Sequence, residues 1–198
     1  MDVNQLKNLI RTMNPNDFVE EYIIPKSYAH FSHDQLDYVR NKISEATGIS
    51  ISEDEIYVVG SANIGYGLFN KKTKSGQNYE AFREFSKFSD VDIAFASSTL
   101  FDKVWGEINS YANLQQFMPH RMNKLGDYLV YGWLRPDQFP KNVRFNYFDK
   151  WNDAVKELSR EKILGRRKIS GALYRDVEFI KKYQTRSIAK CKKDLELI

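Results

Sequence analysis

The stretch that decides the fold runs from Ile56 to Ala96. Two pieces of it carry the reading: Ile56-Tyr57-Val58-Val59-Gly60-Ser61 and Ser89-Asp90-Val91-Asp92-Ile93-Ala94-Phe95. Four β-formers followed by Gly-Ser predict a strand that turns sharply at Gly60 into a helix punctuated by Gly65 and Gly67. The second piece predicts another strand. Side chains of a strand alternate between faces, so Asp90 and Asp92 project together while Val91 and Ile93 enter the core. A hard cation binds such a carboxylate pair. Gly60 lets the backbone come close to a ligand, Ser61 adds a hydroxyl, and the amides opening the following helix suit a phosphate anion. Carboxylate-held Mg²⁺ beside a phosphate cradle is what phosphoryl or nucleotidyl transfer requires, because that chemistry is mostly positioning and charge neutralisation.

Gly-Ser-Ala-Asn-Ile-Gly at 60–65 followed by Ser-Asp-Val-Asp at 89–92 resembles the nucleotidyltransferase superfamily that includes DNA polymerase β, the minimal bacterial nucleotidyltransferases and the cyclic-oligonucleotide synthases. The resemblance covers the middle third of the chain. It implies that Gly60 and Ser61 hold the triphosphate, that Asp90 and Asp92 hold one or two Mg²⁺ ions, and that Gly65 is the helix glycine after the turn. It further implies an NTP substrate and a transfer of NMP to a hydroxyl of RNA, protein, a nucleotide or a small alcohol. Small stand-alone members act in bacterial defence or toxin–antitoxin pairs, so a catalytically weak nucleotide-binding module that works with a partner protein is the alternative. Two features depart from the family pattern. The connection from Asn70 to Phe88 is long, and the third carboxylate expected on a neighbouring strand is not evident. Val143 to Phe148 is the candidate for that strand, with Asn146 at its middle; Asp149, just beyond, is better placed to cap the next helix.

The implied fold class is α/β (α+β): a small mixed sheet with helices packed on it. A chain of 198 residues holds one sizeable core. The expected organisation is one domain over 1–198, with a helical part at 1–50, a core sheet within 56–148 and a basic helical part at 149–198. No apolar run approaches the ~18 residues of a membrane span, and Met1 to Gln5 lacks the basic start and apolar centre of a secretory signal, so a cytoplasmic protein without membrane contact is expected. The single cysteine, Cys191, cannot form an intrachain disulfide. The net charge of +4 gathers late, in Arg166, Arg167, Lys168 and the basic residues of the last helix. That asymmetry suits a polyanionic partner, and Arg166, Arg167 or Lys168 is a candidate charge clamp for the triphosphate, although an interleaved, solvated helix face reads the same way.

Along the chain, Val3, Leu6, Leu9 and Ile10 predict a helix that Asn14-Pro15 ends, and a short helix runs from Asp17 to Ile24. Leu36, Val39, Ile43 and Ala46 predict another, capped by Ser32 and stopped by Gly48. These helices are expected on one face of the sheet. The Lys-rich insert from Asn70 to Phe88 reads as a lid, an acceptor-binding arm or a segment with a disordered tip. Ser97 or Ser98 starts a helix with Leu100, Phe101, Val104, Trp105 and Ile108 inward. Asn113 to Gly126 reads as loop and Tyr128 to Leu134 as strand. Asp149 to Glu161 is expected as helix, Ile169 to Tyr174 as a short strand, and Arg175 to Leu195 as the last helix, with a sparse apolar stripe.

Overall fold

The computed structural model describes residues 1–72, 76–114, 119–134, 139–141 and 143–197. The chain opens with α1 (Val3–Thr12), whose first amides are met by the Asp2 carboxylate while Gln5 reaches back to the Asp2 amide. Next comes α2 (Pro15–Phe18), with proline in its first turn where no amide donor is needed, and it runs on into a π-helical turn, Val19–Ile23. α3 (His33–Thr47) has the expected ends: Ser32 and Gln35 cap each other's amides, and Gly48 closes the helix at φ 69°. β1 (Ile56–Val59), α4 (Ser61–Ile64), β2 (Tyr66–Gly67), β3 (Lys71–Lys72), β4 (Asn78–Tyr79) and β5 (Arg83–Glu84) lead to β6 (Val91–Ala96). After β6 come α5 (Ser98–Asn113), α6 (Pro119–Val130), β7 (Trp133–Leu134), α7 (Asn146–Leu158), β8 (Ile169–Tyr174) and α8 (Val177–Glu196).

The fold is α+β. Its main sheet has four strands in the order β1-β6-β8-β7, with β6 and β8 parallel and the outer pairs antiparallel. Register is set by burial. Val91, Ile93 and Phe95 of β6 join Ile56, Val58, Ile169 and Leu173 in the larger core, under α3, α5 and α7. At Gly171 this face is crowded, since an added Cβ would lie 3.0 Å from Val155 and 3.1 Å from Trp151. Asp92, Ala94 and Ala96 point the other way, toward α8.

Three expectations about the elements change. α1 and α2 do not lie on the sheet; they pack on α8, where Leu6, Ile10 and Phe18 meet Ile188, Cys191 and Leu195. Residues 119–130 form a helix, not a loop followed by a long strand: Leu125 is buried, Leu129 packs on the larger core one turn on, and β7 keeps only Trp133 and Leu134. Val143 to Phe148 is not a strand. Phe145 is the N-cap of α7, and Phe148, Trp151, Val155 and Leu158 follow it inward at helical spacing. Glu107 of α5 accepts the amides of Asn146, Tyr147 and Phe148 at 2.6, 2.9 and 3.1 Å, so a carboxylate distant in sequence caps this helix. The second inner strand is β8, which forms at the expected Ile169–Tyr174 but joins the main sheet, which was expected to lie within 56–148. Among the described residues no helix is long and apolar enough to cross a membrane.

Candidate functional site

β1 runs antiparallel to β6 and ends with Val59 opposite Asp92. The next residue, Gly60, has φ 67° and ψ −148°, a conformation almost confined to glycine, and a Cβ there would sit 3.2 Å from the Asp92 Oδ2. The turn is therefore laid directly against the carboxylate. Gly65, at φ 89°, closes α4 by donating its amide to the Ser61 carbonyl at 2.9 Å. The amides of Ser61 and Ala62, at the start of α4, have no partner within the helix.

Ser61 and Asp92 open into a cleft of about 510 Å³ between the sheet and α8. Val59, Asp92, Ser170 and Ala172 form its floor, and Tyr183, Gln184 and Ser187 of α8 face them. Trp133, stacked on Tyr174 at 5.8 Å and meeting Tyr183 at 5.0 Å, closes one end. The other end is made by the insert, where Lys71 and Arg83 line the cleft.

The two carboxylates differ. Asp90 Oδ2 accepts from Lys168 Nζ at 2.7 Å and has Lys71 Nζ at 3.9 Å. Asp92 has no such partner among the described residues, and its side chain is exposed in the cleft. Loss of hydration raises its pKa above the ordinary carboxylate value, the charge of Asp90 adds to the rise, and Lys168 and Lys71 oppose it. A divalent cation would relieve both causes. Among the described residues no group of three or more His, Cys, Asp or Glu converges, so the chain offers hard oxygen donors from two carboxylates. That set fits Mg²⁺ sharing its shell with a ligand's phosphates, the usual way Mg²⁺ is held beside nucleotides.

Of the residues singled out from sequence, Gly60, Ser61 and Asp92 meet at the cleft, whereas Asp90 does not line it and is joined to it through Lys71. Gly65 lies outside it, lining a neighbouring pocket with His30 and Phe85. Lys168 reaches the site only through its ion pair with Asp90. The Arg167 guanidinium lies over the Phe85 ring at 5.0 Å, and Arg166 is an exposed turn residue at φ 50°; neither lines the cleft. The cations in the cleft are Lys71 and Arg83 instead. Arg83 is held by the carbonyl of Phe69 at 3.0 Å, across the ladder between β2 and β5. Asn146 and Asp149, expected near the third ligand position, stand away from the cleft, because α7 lies on the opposite face of the sheet. Asp149 does act as a cap, accepting the Phe145 amide at 2.8 Å. The residue that pairs with Asp92 on the adjoining strand is Ser170, and β8 (Ile-Ser-Gly-Ala-Leu-Tyr) carries no acid. Sequence reasoning missed Ser170, although the alternation of Ile169, Gly171 and Leu173 with Ser170, Ala172 and Tyr174 marks it as facing away from the core.

No protein-family model, curated protein or solved structure matches this chain.

Proposed function

We propose that this cleft binds a Mg²⁺-complexed nucleoside triphosphate and that the chain is a nucleotidyltransferase of the polymerase β-like kind. The observation that carries this reading is the juxtaposition of Gly60-Ser61 with Asp92. Residues about thirty positions apart meet in antiparallel register, so closely that a Cβ at Gly60 would touch the carboxylate. A bare turn beside an incompletely compensated carboxylate pair suits the meeting of polyphosphate and cation.

Asp90 and Asp92 would hold the ion, and the Ser61 hydroxyl with the Ser61 and Ala62 amides would hold phosphate oxygens. Lys71 adds positive charge at the mouth, where the triphosphate carries most of its negative charge. When bound, Mg²⁺ neutralises phosphate charge and polarises the reacting phosphoryl group. In nucleotidyl transfer the acceptor oxygen bonds to the α-phosphorus, the bond to pyrophosphate breaks, and the acceptor hydroxyl must give up its proton. Ser170 and Ala172, the β8 residues on the cleft floor, are poor acceptors at neutral pH. Among the described residues β8 offers no base, so we assign the proton acceptor to the acceptor molecule or a partner protein, as in a paired defence or toxin–antitoxin system.

Calorimetry of the chain against each NTP, with and without Mg²⁺, tests the reading. Binding that requires Mg²⁺ and disappears in Asp92→Asn is the expected result. Binding indifferent to Mg²⁺, or retained in that variant, overturns it. Turnover of labelled NTP with and without candidate acceptors then separates an enzyme from a binding module.

A further inference from the structure

Two residues before Asp90 the chain displays an aromatic ring to solvent. Phe88 is 85% exposed, which is unusual for a large apolar side chain on a turn with partners of its own. The turn is tied down: the Ser89 amide donates to the Ser86 carbonyl at 3.0 Å, the Ser86 amide to Ser89 Oγ at 3.0 Å, and the Phe88 amide to Ser86 Oγ at 3.3 Å. Phe88 is held out by structure, not left over from a loose loop.

One cation lies on the ring and others lie on its neighbours in the chain. Lys87 Nζ lies 5.1 Å from the Phe88 ring. Two residues on, Asp90 gathers Lys168 and Lys71, and three residues back Arg167 covers Phe85. Across the β3–β4 ladder Lys71 pairs with Tyr79, a second exposed ring. Exposed rings interleaved with cations match single-stranded nucleic acid, whose unpaired bases stack while its phosphates meet the charges. A duplex hides its base faces, and a purely electrostatic surface has no use for a fixed ring.

We propose that the surface formed by Phe88, Lys87, Lys71 and Lys168 binds single-stranded nucleic acid and presents its end to the Asp92 cleft as the acceptor. Its role as acceptor rests on the function proposed above; the binding itself does not.

The test is fluorescence anisotropy with a labelled twelve-nucleotide oligouridylate, the matching duplex, and phosphatidylserine-containing vesicles, all without Mg²⁺ or NTP. Single-strand binding is expected to weaken about fivefold to a hundredfold in Phe88→Ala, in line with the loss of one base–aromatic stack, and to persist in Phe88→Trp. Lys87→Gln is expected to lower the dependence of log K on log salt by about 0.7, one phosphate contact with a single strand. Unchanged affinity in Phe88→Ala, equal binding of duplex, or binding of vesicles alone overturns the proposal. Oligonucleotide binding that survives while Mg²⁺-dependent NTP binding fails would overturn the cleft's function and leave this surface standing.

Discussion

Asp92 is the residue on which the site turns, and its raised pKa has a consequence for stability. The folded chain holds the Asp92 proton more tightly than the unfolded chain, so the group penalises folding increasingly as pH rises from the ordinary carboxylate range through its raised value. At neutral pH the penalty is complete. Asp92→Asn is therefore expected to melt no lower than the parent at pH 7 and at most slightly higher, because Asp92 is exposed and solvent screens most of the penalty. The difference should vanish below about pH 4, and the variant should lose Mg²⁺-dependent NTP binding; thermal melts across pH and calorimetry check both. In the parent, binding of Mg²⁺ with nucleotide should weaken as pH falls through the raised value, because only the ionised carboxylate is a ligand. Gly60 gives the complementary case. Its backbone conformation costs an L-residue about 1–3 kcal/mol, and Gly60→Ala also pushes a methyl toward Asp92 Oδ2. Denaturant titration should show a loss of that size together with weakened nucleotide binding.

At the scale of elements, the start of α7 and the position of β8 decide where chemistry can lie. Glu107 takes three amides of the first turn of α7, so Glu107→Ala should cost about 1–2 kcal/mol, like the loss of an N-cap in favourable geometry. Urea unfolding should show a lower midpoint with an unchanged slope. β8 supplies the position that faces Asp92 across a parallel pair, and Ser170 occupies it. Ser170→Asp places a carboxylate there. Labelled NTP turnover should rise about tenfold to a hundredfold, toward the low end of general-base contributions. No rise, with Mg²⁺-dependent binding intact, would place the missing base elsewhere. The insert belongs at this scale too: it folds back as two short ladders, β2 with β5 and β3 with β4, and these carry Lys71 and Arg83 to the cleft. Lys74 and Ser75, which the basic reading of the insert included, lie outside the described residues.

At the scale of the whole molecule, α8 does two jobs. Its first half closes the cleft with Tyr183 and Gln184, and its second half buries Ile188, Cys191 and Leu195 against the N-terminal helices. Burial lifts the Cys191 thiol to about 11, which keeps it protonated and makes it a packing residue. Ile188→Ala should cost about 2–5 kcal/mol, the range for truncating a fully buried Ile, and should also weaken nucleotide binding because Ser187 beside it lines the cleft. Circular dichroism melts and calorimetry check the pair of effects. What the sequence by itself determined is local in origin: the period-two alternation that sends Val91 and Ile93 into the core and Asp92 to the other face, the glycine that lets Val59 turn into Ser61, the Ser32 and Gly48 ends of α3, and the α+β class. Those signals need only neighbours in the chain. Tertiary structure alone decided that β8 and not 143–148 lies beside β6, that Glu107 starts α7, that Lys71 and Arg83 rather than Arg166 and Arg167 line the cleft, and that the sparse stripe of α8 is completed by α1 and α2. Each depends on which distant segments pair to bury apolar surface, and that choice leaves no periodic trace within the segments themselves.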